Sequence, residues 1–383
     1  MTRKVVRVAM NGVTGRMGYR QHLVRSLLSI REQGGVRLAD GSAIVPEPVL
    51  VGRSERRLRE IAERHGLPHW STRLDEVLAD PGIDVYFDAQ VTSTREASLG
   101  RAIAAGKHVY TEKPVADSLD GALRLARAAR EAGRTNGVVQ DKLFLPGVIK
   151  LRRLLREGFF GRVLAVRLEF GYWVFEGDGV AAQRPSWNYR AEDGGGIVLD
   201  MFPHWQYLLE DLFGPVTAVY AREARHVPRR WDETGTPYDV TAADAAYAVL
   251  ELEGGVLASV NSSWAVRVNR RELLELQVDG TRGSAVAGLR HCAVQHRVST
   301  PAAVWNPDLP DPLDYPAQWA DVPDNAVFDN GFKAQWEQFL RAAAEGTGVP
   351  WDLAEGAKGV QLAGLARQSS AEGRRLDVPA LAV

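Results

Sequence analysis

A chain of 383 residues exceeds what one hydrophobic core ordinarily organises, so two domains are expected. With 45% hydrophobic and 25% charged residues and a formal net charge of -1, the composition is globular and offers no electrostatic attraction to nucleic acid or to an anionic membrane surface. A single cysteine, Cys292, excludes an internal disulfide framework and a cysteine-based zinc cluster, and no metal site is expected. The opening MTRKVVRVAMNG breaks its apolar run at Arg7 and turns at Asn11-Gly12, unlike a signal peptide, and no segment has the apolar length of a membrane span. The expected compartment is the cytoplasm.

Residues 1–145 alternate short β-branched runs with helical patterns. KVVRVAM precedes a helix through Leu23, Val24, Leu27 and Leu28; PVLVG precedes SERRLREIAERHG; DVYFDA and HVY each precede a helix; GVVQDKLF precedes Val148 to Leu155. This alternation predicts βαβ units with right-handed crossovers, hence a doubly wound parallel sheet of Rossmann type. The connection GGVRLADGSAIVPEP, around 33–48, is longer than usual and suggests no function.

The first strand runs into Gly12-Val13-Thr14-Gly15-Arg16-Met17-Gly18 and then directly into a helix. Glycines permit the tight turn and close backbone approach, while the helix N-terminus offers N–H groups and a positive dipole to a pyrophosphate. Gly12, Thr14, Gly15, Arg16, Met17 and Gly18 are therefore candidate dinucleotide ligands, with Ala89 and Gln90 at the end of the DVYFDA strand. After Val51 the second strand ends in Gly52-Arg53-Ser54, with Arg57 close behind, and no carboxylate stands where one would bond the ribose of NAD. Arg53, Ser54 and Arg57 suit the extra phosphate of NADP, so NADP(H) is favoured and NAD(H) is the alternative.

From Arg162 the pattern changes to long strand-like runs: RVLAVRLEFGYW, VTAVYAREA, AAYAVLELEGG, VLASVNSSW and LLELQVDG. Glu253-Gly254-Gly255 marks a hairpin, because its glycines supply the positive φ of a tight turn. Residues 146–383 are thus an α+β domain with a large, mainly antiparallel sheet. Gly194 to Gly196 interrupt it before a helix from about Leu199 toward Leu212, residues 300–329 form a surface excursion, and two C-terminal helices are placed to return to the first domain. The runs AYAVLELE and VLASVNSSW show little strict alternation, which fits burial on both faces.

The run Gly106-Lys107-His108-Val109-Tyr110-Thr111-Glu112-Lys113-Pro114, with the glycine loop and the stretch from Gly194 through Asp200 to His204, resembles the Gfo/Idh/MocA oxidoreductases, the family of glucose-fructose oxidoreductase and inositol dehydrogenases. The resemblance spans nearly the whole chain. It implies hydride transfer between a nicotinamide and a hydroxyl or carbonyl carbon of a sugar, glycoside or cyclitol, with Lys113, Asp200 and His204 as the catalytic group. Asp200 and His204 lie one helical turn apart on a common face, where the carboxylate either orients the imidazole or shares with it the grip on neighbouring hydroxyls. Glu112 would approach the ribose or nicotinamide, the Lys113-Pro114 bond is often cis in the family, and pairing through the sheet implies a homodimer or homotetramer.

The chain also departs from the family pattern. Val91 and Arg95 stand where relatives usually carry a proline and a histidine, so the nicotinamide wall differs. Lys142 is either a substrate ligand or a solvated loop lysine. Trp187, Tyr189 and Arg190 either stack on and bond a polyhydroxylated ring or pack a domain interface. Two other functions use the same fold: a glycoside hydrolase with transient oxidation at bound NAD, and a non-catalytic nucleotide-binding regulator.

Overall fold

The structure, a computed structural model, describes residues 2–172, 179–182, 184–302, 306, 308–310 and 313–382. The chain divides into two compact units. The first comprises Met1–Phe144, Asp329–Gln361 and Ala380–Val383; the second comprises Leu145–Phe328 and Leu362–Pro379. No helix among the described residues is long and apolar enough to cross a membrane.

In the first unit, strand β1 (Arg3–Asn11) lies between β2 (Ala43–Val51) and β3 (Val85–Asp88), parallel to both. The sheet continues through β4 (His108–Thr111) to β5 (Asn136–Val138), all parallel. Because β2 and β3 flank β1, the strand order reverses at the carboxyl end of β1, the crevice where such sheets bind ligands. Alternate residues of β1 explain the double winding. Val8 and Met10 join one core with Leu23 and Leu27 of helix α1 (Met17–Leu28, running on as Ser29–Glu32), whereas Ala9 joins the opposite core with Leu99 and Leu125. Each fully buried aliphatic side chain contributes roughly 1.5–3 kcal/mol.

Helices α2 (Glu55–His65), α3 (Thr92–Ala104) and α4 (Leu119–Ala132) supply the crossovers. Strand β2 begins earlier than PVLVG, since Ala43 and Ile44 pair antiparallel with Arg37 and Val36, so the long connection is largely a hairpin. Pro46 and Pro48 read as breakers in the sequence. They are tolerated because between its pairings at 43–44 and 50–51 this strand has a partner on the β1 side only, and a missing N–H on the open side breaks no ladder.

The second unit opens with helix α5 (Pro146–Arg156) and contains strand β6 (Val163–Gly171), helix α6 (Ile197–Phe213) and a run of strands: β7 (Val216–Ala224), β8 (Ala245–Leu252), β9 (Leu257–Ser263), β10 (Leu274–Gly280), β11 (Gly283–Gly288), β12 (Cys292–His296) and β13 (Ala320–Asp321). They form a nine-stranded sheet ordered β13-β12-β11-β10-β6-β9-β8-β7-β14, where β14 is Leu376–Asp377. Only the β6–β9 pair is parallel. The expected hairpin joins β8 to β9, with Gly254 and Gly255 at φ 79° and 80°. Strand β11 lies where the sequence reading placed none, the strand-like residues that follow Cys292 form β12 with its thiol buried, and β13 lies inside the 300–329 excursion, part of which is outside the described residues. Helix α7 (Gly331–Glu345) belongs to the first unit, and α8 (Leu353–Glu372) ends in the second.

Strand β8 corrects one expectation. It alternates buried and exposed residues, with Tyr247 and Val249 each 43% exposed in the single chain, so it is not buried on both faces. Edge strand β7 is covered rather than left open, because the hydroxyls of Ser369 and Ser370 accept the N–H groups of Ala221 and Glu223 and β14 pairs beside them.

Candidate active site

The glycine loop is shaped by contacts that no side chain could share. Gly12 has φ +84°, and a Cβ there would stand 2.5–2.7 Å from the backbone of Ala89 and Gln90; one on Gly18 would stand 2.6 Å from the Gly12 carbonyl. The amide of Gly15 donates to Gly12 O at 3.0 Å, and α1 starts at Met17 without a side-chain cap. Thr14 and Met17 are half-buried and Arg16 is exposed. This cradle fits a dinucleotide: its backbone amides suit a pyrophosphate, and Ala89 and Gln90 form the facing wall. At the end of β2, Ser54 caps α2 by accepting from the Arg57 amide at 3.4 Å, which leaves its hydroxyl proton able to donate. Arg56 and Arg59 are held by Glu60 and Glu55 of their own helix, both at 2.6 Å. Arg53 and Arg57 are exposed and form no ion pair among the described residues.

At the ends of β3 and β4 the groups are buried. Asp88 accepts from the Tyr86 hydroxyl at 2.7 Å, the Gln90 amide at 2.9 Å and Arg95 Nε at 3.3 Å. Gln90 Oε1 in turn accepts from Asn11 and Ser98, each at 3.0 Å. Burial pushes the Asp88 carboxyl above its ordinary value, which Arg95, Tyr86 and Gln90 only partly offset. Arg95, 3% exposed, also donates to the carbonyls of Gln90 (2.6 Å) and Pro114.

Glu112 accepts from its neighbour's amide, Lys113 N, at 3.2 Å and meets His22 Nε2 at 2.9 Å, while Trp336 Nε1 donates to His22 Nδ1 at 3.0 Å. Burial raises the Glu112 carboxyl, but the His22 hydrogen bond and the nearby Lys113 and Arg95 charges outweigh it and hold the carboxyl below its ordinary range. Lys113 is half-buried and its bond to Pro114 is cis. Lys142 is also half-buried rather than solvated, 3.6 Å from Asp141.

In the second unit the three glycines let two segments meet. A Cβ on Gly195 would stand 2.5 Å from Trp187 O, and Gly196, at φ +120°, donates to Asn188 O at 2.9 Å as α6 begins. Asp200 accepts from Arg184 at 2.7 Å, and the Arg184 guanidinium lies 4.6 Å over the Trp264 ring. His204, buried, meets the Tyr207 hydroxyl through Nδ1 at 2.8 Å. Tyr189 packs inside the second unit, not at the domain interface weighed for the aromatic segment. It is fully buried between the Arg230 guanidinium, 4.2 Å from its ring, and Trp264, 5.6 Å away edge-on. Arg190 stacks over Tyr238 at 4.7 Å, and Trp187 remains 46% exposed. Sequence reasoning did not single out His22, Trp336 or Tyr207. Only His22, polar beside the apolar stripe of α1, left a visible signal.

Comparison with known proteins adds to this geometry. Residues 6–140 match the family described as "Oxidoreductase family, NAD-binding Rossmann fold", and residues 148–286 match the "GFO/IDH/MocA C-terminal domain". The chain is 58% identical over 379 residues to D-xylose dehydrogenase of Paenarthrobacter nicotinovorans, covering 98% of each. Among solved structures, levoglucosan dehydrogenase in complex with NADH and L-sorbose superposes with a TM-score of 0.80 at 21% identity, over 98% of this chain and 99% of that one. Aldose-aldose oxidoreductase from Caulobacter crescentus gives 0.73 at 20% identity, over 98% and 99%. These two likenesses establish the fold.

Proposed function

Because the chain belongs to the Gfo/Idh/MocA oxidoreductase family, we propose that it is a sugar dehydrogenase that oxidises a carbinol carbon of an aldose such as D-xylose, with NADP favoured over NAD. The observation that carries the reading is the 58% identity to a D-xylose dehydrogenase along both chains. The glycine cradle, Ala89, Gln90 and Glu112 hold the dinucleotide, and Arg53, Ser54 and Arg57 receive the additional phosphate. When bound, the nicotinamide supplies the hydride acceptor. Lys113 Nζ takes the hydroxyl proton as the C–H bond yields its hydride, and His204, its Nδ1 engaged by Tyr207, orients the hydroxyl through Nε2. Asp200, charge-paired with Arg184, Lys142, Trp187 and Arg190 bind the sugar hydroxyls.

The test is spectrophotometric, following reduction of NADP and NAD with D-xylose, other aldoses, inositols and glycosides. Reduced cofactor accumulating with an aldose is the expected result. Release of an aglycone without reduced cofactor would instead identify the hydrolase.

We place the reaction in the cytoplasm and propose that copies of the chain associate through the outer face of the sheet. There Tyr220 lies opposite Val249, and Tyr220, Tyr247, Val249 and Leu257 are 40–52% exposed. Light scattering is expected to give a homodimer or homotetramer that Val249→Glu shifts toward monomer.

A further inference from the structure

Arg95 stands on the first turns of α3 with its whole side chain buried. A guanidinium cannot shed its charge inside a protein, so every donor it buries needs an acceptor. Its acceptors here come from two different strand ends. On the β3 side it meets the Asp88 carboxylate at 3.3 Å and the Gln90 carbonyl at 2.6 Å; on the β4 side it donates to the carbonyl of Pro114. The β3 side is itself braced, because Asp88 also fixes the Gln90 amide and Tyr86, and Gln90 Oε1 binds Asn11 and Ser98. The β4 side has fewer handles. Pro114 has no N–H, so its carbonyl is its only backbone hydrogen-bonding group, and it follows Lys113 directly.

We propose that Arg95 is a positioning residue for hydride transfer, bracketing the Lys113-Pro114 segment to the cofactor wall at Ala89–Gln90 so that the lysine and the dinucleotide are set by one rigid group. The planar fork is what makes this bracket. A lysine at the same place keeps the charge opposite Asp88 but cannot serve two carbonyls and a carboxylate in fixed directions. The inference rests on the assignment of Lys113 made above.

The test uses the full-length enzyme with NADP and D-xylose, or the best aldose from the screen. Arg95→Ala would strand the Asp88 carboxylate, so Arg95→Lys is the working variant. A second one, Arg95→Met with Asp88→Asn, removes both buried charges together and guards against loss of fold. Both are expected to bind the dinucleotide within about threefold of the unmodified protein while kcat falls roughly ten- to a hundredfold, the size of a small misplacement of reacting groups. The pH profile of kcat is expected to shift, because the Lys113 amine that takes the hydroxyl proton loses its fixed surroundings. A variant that melts earlier yet keeps kcat and its pH profile would reduce Arg95 to a core ion pair and overturn the proposal. Lys113→Ala belongs in the same panel. If it turns over normally, the assignment of Lys113 fails and the inference falls with it. If it is inactive while both Arg95 variants work normally, only the inference fails.

Discussion

The indole N–H of Trp336 donates to Nδ1 of His22 across 314 positions of sequence, and this one bond determines how the neighbouring Glu112 is held. Because Nδ1 is the acceptor, the ring proton sits on Nε2, which donates to Glu112 Oε1 at 2.9 Å. Helix α7, from the far end of the chain, thereby fixes the tautomer of a histidine in the helix that follows the glycine loop, and through it the carboxylate beside Lys113.

Trp336→Phe keeps the ring in the core but removes the donor, leaving a buried nitrogen without its partner at a cost of about 1–3 kcal/mol. Chemical denaturation is expected to show that loss. Nitrogen-15 spectra of the His22 ring are expected to show the Nε2–H form in the unmodified protein and a mixture in the variant. A single, unchanged tautomer in Trp336→Phe would show that Glu112 alone sets it.

The adenosine end gives a second expectation. Arg56 and Arg59 are neutralised by Glu60 and Glu55, so a ribose phosphate is left to Arg53, Arg57 and the Ser54 hydroxyl. Arg53→Ala is expected to raise the dissociation constant for NADP about tenfold or more while changing that for NAD less than threefold, in keeping with one charge-assisted contact of roughly 1.5–3 kcal/mol. Equal effects on both cofactors, measured by fluorescence titration, would remove the basis for preferring NADP.

Much of this protein was legible because its first unit obeys period. Apolar runs of five or so residues, each followed by a helix with a 3.6-residue stripe, leave little freedom but a parallel sheet. The glycines declared their reason in advance, since a positive φ at Gly12 and contact with Ala89 are what a strand-loop-helix phosphate site demands. Strand β2 was read short because two prolines mask a strand whose open edge tolerates them. Strand β11 hid because GSAVAG is built of small residues that carry little β signal although they pack well on a sheet. His22–Trp336 and Arg184–Asp200 are contacts made by folding, and no local pattern encodes a partner hundreds of residues away or a cation above a tryptophan.

Cys292 offers a check on the second unit alone. Burial pushes its thiol up to about 11, only partly offset by Lys150 and Arg153. The thiolate, the reactive form, is then roughly a thousandth of the total at pH 8, about a hundredfold below that of an ordinary thiol. Iodoacetamide is expected to leave Cys292 unlabelled at pH 8 in the native protein and to label it fully after unfolding; labelling of native protein at the rate of a free thiol would contradict its burial in β12.

The most decisive expectation concerns Lys113, Asp200 and His204. If Lys113 Nζ carries the hydroxyl proton and His204 orients the hydroxyl, removing either takes away stabilisation that exists only in the transition state, so the loss must fall on turnover and spare dinucleotide affinity. Lys113→Ala and His204→Ala are each expected to lower kcat/KM by roughly two to four decades. Tyr207→Phe removes the hydroxyl from Nδ1 of His204 without touching substrate, so it should cost far less than His204→Ala. Asp200→Asn is expected to be milder than either alanine change but to raise KM, because Arg184 already neutralises this carboxylate, which holds the guanidinium over Trp264, and the part proposed for it is to bind hydroxyls. Fluorescence titration without sugar should give nearly unchanged cofactor affinity for all four variants. Near-normal turnover by both Lys113→Ala and His204→Ala would exclude the proton-transfer assignment. If the unmodified protein turned over no sugar either, the regulator on the same fold would be the better account.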